Sequence, residues 1–288
     1  MSSFLQSYKR QPKLFIDLPS KGMYYDEKIL EGGQHLQIPV FGMNAMDEIM
    51  FKTPDALFSG EATAQVIRSC IPTILDPWKL VGFDIDFILI AIRIATYGDE
   101  LPFKTNCSSC NQDTESQLSL SNLLGSYDNY EAESSFNIDD LTFHLKPLTY
   151  KQMTDFSVEN YAFERQLLQV ARTETMSEEE KNAASKEVYN KNNDLNLRVA
   201  ISYIKSITNN SEAETDLQTI TDFIVNNDAV FYNKLKDYIF ELSYKWKIPA
   251  VKIICANEEC GKEYSSKIDL DYSNFFGLKF LHSRNLIS

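Results

Sequence analysis

Four cysteines in two close pairs constrain this 288-residue chain more than any other feature. The first pair is Cys107 and Cys110, and the second is Cys255 and Cys260. Two thiolates held two to four residues apart on a tight turn form half of a tetrahedral metal site. The sequence therefore predicts that both pairs converge on one structural Zn²⁺ per chain, which would join two distant segments.

The two pairs lie inside two copies of one longer pattern. In each copy a tyrosine at a helix end, Tyr97 or Tyr244, is followed four residues later by an apolar residue and a proline, and then by a strand-like run. Two apolar residues then follow the second cysteine at equal offsets, namely Leu118 and Leu120 in the first copy and Ile268 and Leu270 in the second. This repetition predicts an internal duplication.

The expected fold class is α+β, with internally duplicated helical halves that each end in a β-hairpin cysteine knuckle of the zinc-ribbon type. Residues 1–30 are predicted to form an extended N-terminal arm, because prolines and a glycine interrupt them. Residues 31–130 form the first predicted repeat and residues 131–288 the second. A helical insertion at 172–227 has no counterpart in the first half.

Capping patterns predict where several helices begin. They are Thr53 before Pro54, Thr149 with Gln152, Ser177 with Glu180, and Thr215 with Gln218. A core helix from about Asp84 is predicted to end at Gly98, a favourable residue just after a helix. A second helix, with apolar residues at helical spacing, is predicted from Asp228 to Lys245.

The arm carries apolar side chains but is too short and too interrupted by prolines to form a core of its own. Part of residues 1–25 is therefore predicted to pack on a neighbouring surface, which another subunit can supply. The predicted partner-binding residues are Phe15, Ile16, Leu18, Tyr24 and Tyr25.

Two alternatives to a shared zinc site stay open at this point. The four thiols can be reduced and free of metal on two hairpin tips, or they can form disulfides. The residues after the second cysteine of each pair, Asn111 and Gly261, suit the positive φ that such turns need. The remaining cysteine, Cys70, is most simply a core thiol.

Composition and motifs disfavour several classes of function. The formal net charge of −13 opposes phosphate binding, and no apolar run is long enough for a membrane span. An odd number of cysteines and the lack of a signal-peptide pattern favour synthesis in a reducing, intracellular compartment. We expect neither nucleic-acid nor membrane partners.

Catalytic motifs are also lacking. The three histidines, His35, His144 and His282, stand outside recognisable metal or nucleophile motifs, and there is no P-loop or GxSxG sequence. A four-thiolate zinc site leaves no coordination position open for water, so its expected role is structural. The chain is predicted not to be an enzyme and to have no small-molecule substrate.

Three segments carry a family resemblance. LPSKGMYYDE, MDEIMFKTPDALFSGEA and DIDFILIAIRIATYGDEL, the last leading into a CxxC pair, resemble the baseplate hub and hub-assembly proteins of T-even-type contractile-tailed phages. The resemblance covers residues 14–125 and extends more loosely to the second pair. It implies a non-enzymatic protein of the tail baseplate that binds other baseplate or tail proteins and is assembled in the host cytoplasm.

Several hypotheses follow for the role of the chain. The first is a hub structural or assembly protein of the virion, and the second is an assembly chaperone absent from the mature particle. A zinc-ribbon nucleic-acid adaptor is disfavoured by the acidic charge, and a hydrolase is disfavoured by the lack of catalytic motifs. The sequence leaves open the copy number, the neighbouring subunits, the order of the arm and the role of the insertion.

Overall fold

The chain forms two compact units in the computed structural model. The structure describes residues 9–32, 37–127, 134–266 and 281–282. Unit 1 combines Met1–Tyr130 with Lys247–Ser288, and unit 2 is Glu131–Trp246. Unit 2 is thus inserted between the two parts of unit 1. This boundary differs from that of the predicted repeats, because it groups the second cysteine pair with the first.

Unit 1 begins with an antiparallel strand pair. Strand β1 (Pro12–Ile16) pairs with β2 (Ile38–Phe41), and Ile16 lies opposite Ile38. Five α-helices follow in residues 37–127, all of which the structure describes: α1 (Ala45–Phe51), α2 (Pro54–Phe58), α3 (Glu61–Cys70), α4 (Gly82–Tyr97) and α5 (Leu120–Gly125).

Helix α4 is the centre of the unit 1 core. Eleven of its 16 residues are buried, and Ile88, Leu89 and Ile90 are fully inaccessible. Gly98, with φ of 92°, ends the helix as predicted. A Cβ on Gly42 would lie 2.9 Å from the Ala95 carbonyl oxygen, so the chain after β2 runs directly against this helix.

The described part of the N-terminal segment forms strand β1 and then turns at residues 19–24 and 27–29, and it packs on its own chain. The backbone N–H and hydroxyl of Ser20 and the hydroxyl of Tyr25 all donate to the buried Asp84 carboxylate in the first turn of α4. The Val81 N–H donates to the Tyr25 hydroxyl at 3.0 Å. Burial raises the pKa of Asp84 to about 6. This network fixes residues 20–25 against the core helix.

Two hairpins of unit 1 lead to the cysteine pairs. Strands β3 (Glu100–Asn106) and β4 (Asp113–Ser119) are antiparallel. Strands β9 (Val251–Ile254) and β10 (Glu263–Ser266) form the other hairpin, and β11 (Leu281–His282) pairs in parallel with β3. Of the predicted repeat pattern, Ile268 and Leu270 lie outside the described residues.

The described part of unit 2 contains an antiparallel sheet and four α-helices. The strands, in sheet order, are β5 (Ser134–Ile138), β6 (Leu141–Leu145), β7 (Ile204–Thr208) and β8 (Ala213–Glu214). The helices are α6 (Tyr150–Arg172), α7 (Glu178–Ser202), α8 (Leu217–Val225) and α9 (Ala229–Ser243). Buried Phe143 stacks on Phe136, with 5.3 Å between ring centroids, and contacts Phe231 of α9.

The helix starts in unit 2 test the capping predictions. The boxes Thr149 with Gln152 and Ser177 with Glu180 are both formed, and Asp228 caps α9. The predicted Thr215 cap is wrong, because Asp216 is the N-cap of α8 and its carboxylate accepts from the Thr219 N–H at 2.8 Å. Asp216 stands three residues before that N–H, which is the spacing a side-chain cap requires.

The mixture of helices and strands confirms the α+β class. The internal duplication and the zinc-ribbon character of the knuckles stay predictions. Among the described residues, no helix combines the length and the apolar character that crossing a bilayer requires.

Candidate metal centre

The first cysteine pair lies on the turn that joins β3 to β4. The Cys107 N–H donates to the Gln112 carbonyl at 3.0 Å, and the Asn111 N–H donates to the Cys107 carbonyl at 2.8 Å. Asn111 has φ of 55°, which confirms the predicted left-handed position. The turn therefore brings Cys107 and Cys110 to one end of the hairpin.

The second pair lies on a turn two residues longer. The Cys255 N–H donates to the Lys262 carbonyl at 3.0 Å, which closes the hairpin as the first turn does. The Gly261 N–H donates to the Asn257 carbonyl at 2.9 Å, and Gly261 has φ of 53°, as predicted. In both turns the residue after the second cysteine has a left-handed backbone conformation. The two extra residues of the second turn therefore lie between its cysteines, and the ends of the two turns are alike.

The four sulfur atoms of these turns meet in one cluster. Cys107 Sγ lies 3.9 Å from Cys260 Sγ, and Cys110 Sγ lies 3.7 Å from Cys255 Sγ. All four lie within 4.8 Å of one another. Thiolates about 2.3 Å from a tetrahedral ion are about 3.8 Å apart, whereas disulfide sulfurs are about 2.05 Å apart. The spacing fits a four-thiolate metal ion, and all the cysteines are reduced.

Each of these two short contacts joins a cysteine of one hairpin to a cysteine of the other. Cys107 and Cys255 are buried, whereas Cys110 and Cys260 are half-buried. Hydrogen bonding from the Ser109 backbone, with a contribution from Cys110, lowers the pKa of the Cys107 thiol to about 7. A lowered pKa favours the thiolate form that binds metals.

A hydroxyl pair also links the two hairpins. Thr105 Oγ1 of β3 lies 3.2 Å from Ser266 Oγ of β10, and both residues are buried. Sequence reasoning missed this contact, because serine and threonine hydroxyls in strands carry no pattern that predicts their partner.

Cys70 is separate from the four-cysteine cluster. It is fully buried, and its Sγ lies 3.9 Å from Asp47 Oδ2. Burial, with the nearby Asp47 charge, raises the pKa of its thiol to about 12. Cys70 is therefore a protonated core thiol in this structure.

The five predicted partner-binding residues differ in accessibility. Ile16, Leu18 and Tyr25 are buried, and Tyr24 is half-buried with its ring 6.5 Å from that of Phe83. Phe15 is 60% exposed. Since β-strand side chains alternate between faces, Ile16 enters the core and Phe15 points away from it. Among the five, Phe15 is the best placed to contact another protein.

The fold and the cysteine cluster can be compared with known proteins. Residues 28–277 match the family model described as T4 bacteriophage base plate protein. The match spans most of the chain, so the protein belongs to this family, as the sequence motifs predicted. No curated protein and no solved structure matches the chain.

Proposed function

We propose that this baseplate protein is a structural or assembly component of the baseplate hub and that it binds other tail proteins. Family membership supports the baseplate role, and the motifs of residues 14–125 support the hub. The structural role is supported by the convergence of four thiols from two distant segments of the chain. A site of this kind stabilises a scaffold and leaves no coordination position for a substrate.

The metal in this proposal is one Zn²⁺ per chain, held by Cys107, Cys110, Cys255 and Cys260. Four soft sulfur ligands at tetrahedral spacing favour zinc over hard cations, which prefer oxygen. Structural zinc contributes on the order of 10–16 kcal/mol of apparent binding free energy in small peptides. When bound, the ion joins the two hairpins, and the protein supplies the ligands that fix its geometry.

The proposal includes no enzymatic activity, no small-molecule substrate and no nucleic-acid or membrane partner. The net charge of −13 supports the exclusion of nucleic acid, since an acidic surface repels phosphates. The partners are other baseplate and tail proteins, met during assembly in the host cytoplasm. An assembly chaperone that leaves before the particle is complete is the alternative role.

Metal analysis of the purified chain tests the site. We expect one zinc per chain, lost in each single Cys→Ser variant of the four ligands and retained in Cys70→Ser, the matched control. Two zinc ions per chain would contradict a shared site. A metal-free chain with full stability would contradict any structural metal.

Mass spectrometry and cryo-electron microscopy of purified tail particles test the location. A structural hub component is expected at the centre of the baseplate in a fixed copy number. Its absence from complete particles, together with failed baseplate assembly when the gene is deleted, would favour the chaperone role.

A further inference from the structure

The two cysteine hairpins of unit 1 do not share a sheet. Strands β3 and β4 form one backbone ladder, and β9 and β10 form another. Within the described parts of the two hairpins, no backbone hydrogen bond connects one to the other. The described parts of the two hairpins are therefore joined by side chains and by whatever the four sulfurs bind, while the two-residue strand β11 that follows β10 pairs with β3.

The described side-chain part of this contact is the Thr105–Ser266 hydroxyl pair and the inward face of hairpin β9–β10. Hairpin β9–β10 turns Ile253 and Tyr264 inwards, on the same face as Ser266, while Ile254 is 67% exposed. The Tyr264 hydroxyl is buried and has no hydrogen-bond partner among the described residues. An unpaired buried hydroxyl opposes the burial of its own side chain. Packing and one hydroxyl pair are thus a weak attachment for a hairpin of two four-residue strands.

The position of this hairpin in the chain makes its attachment important. The chain leaves the first part of unit 1, forms the whole of unit 2, and returns to unit 1 at Lys247. Among the described residues after unit 2, hairpin β9–β10 and the two-residue pairing of β11 with β3 are what attach the returning chain to unit 1.

We propose that the metal ion of the four-cysteine site acts as a clasp for hairpin β9–β10. With the ion bound, the hairpin is held against β3–β4, and unit 2 is tied to unit 1 at both ends. Without the ion, the hairpin detaches, the chain after unit 2 keeps the two-residue pairing of β11 with β3 as its described backbone link, and the core of each unit stays folded. This inference rests on the metal site of the proposed function and adds how the ion controls the fold.

Local rather than global opening follows from where the cores lie. The core of unit 1 is built around α4, and its fully buried residues, such as Ile67 and Leu89, come from the first part of the chain. Unit 2 has its own aromatic core around Phe143. The buried ligands Cys107 and Cys255 lie on the hairpin turns, and not in α4 or beside Phe143. Local opening has a free energy set by the contacts of the opening segment.

Hydrogen exchange of the full chain, followed by mass spectrometry, tests the clasp. Metal content is measured first, and exchange is then recorded before chelator treatment, after it, and after zinc is added back. On metal removal we expect the amides of β9 and β10 and of the Cys107–Gln112 turn to exchange about tenfold faster or more. Amides of α4 and β6 should keep their protection, and added zinc should restore the hairpin.

Cysteine variants distinguish the effect of losing the ion from any other effect of the chelator. The double variant Cys255→Ser/Cys260→Ser should exchange like the chelated protein without any treatment, and Cys70→Ser should behave like the unmodified chain. Unchanged protection of β9 and β10 after complete metal removal would overturn the clasp while leaving the metal site intact. An equal loss of protection in α4 and β6 would overturn it too, since the ion would then support the whole fold. A chain purified without metal and with a protected hairpin would contradict both the site and the clasp.

Discussion

Helices α4 and α6 of the same chain are stabilised in opposite ways. In α4, eleven of 16 residues are buried and no side chain caps the N-terminus. In the 23-residue α6, Tyr150 is the buried residue, and a complete capping box begins the helix. Burial in a core stabilises the first helix, whereas local interactions carry much of the second.

The neighbours of α6 extend this contrast. All four helices of unit 2 have a side-chain N-cap, on Thr149, Ser177, Asp216 and Asp228. Ion pairs one turn apart add to α6 and α7, including Lys151 with Asp155 and Lys191 with Glu187. A helix with most of its surface exposed to solvent depends on such local interactions for its stability. Its exposed surface is available for other contacts.

The largest expected effect comes from the buried helix. Leu89→Ala should lower the free energy of unfolding of unit 1 by about 2–5 kcal/mol, because it leaves a cavity in the core. Leu168→Ala, at a position on α6 that is 55% exposed, should change the stability of unit 2 by less than about 0.5 kcal/mol. The chain has one tryptophan in each unit, so Trp246→Phe and Trp78→Phe backgrounds report the units separately by fluorescence. Similar losses of stability in Leu89→Ala and Leu168→Ala would contradict the contrast between α4 and α6.

The first turn of α4 should give stability a pH dependence. The pKa of Asp84 is about 6 when folded and near 3.8 in its ordinary state, so the folded chain binds its proton more tightly. This contribution is fully present below about pH 4 and is lost as the pH rises through 6. At 1.36 kcal/mol per pKa unit, the loss is roughly 3 kcal/mol.

Asp84→Asn isolates this effect from other titrations. The free energy of unfolding of the unmodified chain minus that of the variant should fall by about 2–3 kcal/mol between pH 4 and pH 7. The measurement is denaturant unfolding of unit 1 at both pH values. A constant difference would mean that the Asp84 carboxyl has the same pKa in the folded and unfolded chain.

A smaller effect is expected at the start of α8. Asp216→Ala should lower the free energy of unfolding of unit 2 by about 1 kcal/mol, because the Thr219 N–H loses its cap. Thr215→Ala, the position favoured by the sequence pattern, should change it by less than about 0.5 kcal/mol. Denaturant unfolding of the two variants side by side measures both, and a larger loss for Thr215 would reverse the assignment of the cap.

The smallest effect on stability is expected at Phe15. Phe15→Ser should change the free energy of unfolding by less than about 0.5 kcal/mol, while incorporation of the chain into tail particles falls, because an exposed aromatic contact is lost. Its neighbour Ile16 is 5% exposed, and Ile16→Ala should destabilise unit 1 by about 2–5 kcal/mol. Normal incorporation of the Phe15 variant would argue against a partner contact there.

Local features of this protein could be read from the sequence. The capping boxes at Thr149 and Ser177, the end of α4 at Gly98 and the positive φ of Asn111 and Gly261 all depend on residues within one turn of the backbone. The convergence of the four cysteines was also predictable, because each close pair offers two of the four ligands that a tetrahedral metal site needs. The protein family was likewise predicted from motifs in the sequence.

Long-range features were decided by the tertiary structure. The grouping of Lys247–Ser288 with the N-terminal part of the chain, the Thr105 to Ser266 contact, and the burial of Ile16 and Tyr25 in their own unit each join residues far apart in sequence. An apolar side chain in an extended segment needs a surface to cover it, and the sequence does not specify whether that surface belongs to the same chain or to a partner. In this structure the same chain supplies the surface, because Ser20 and Tyr25 of the N-terminal segment donate hydrogen bonds to Asp84 at the start of α4.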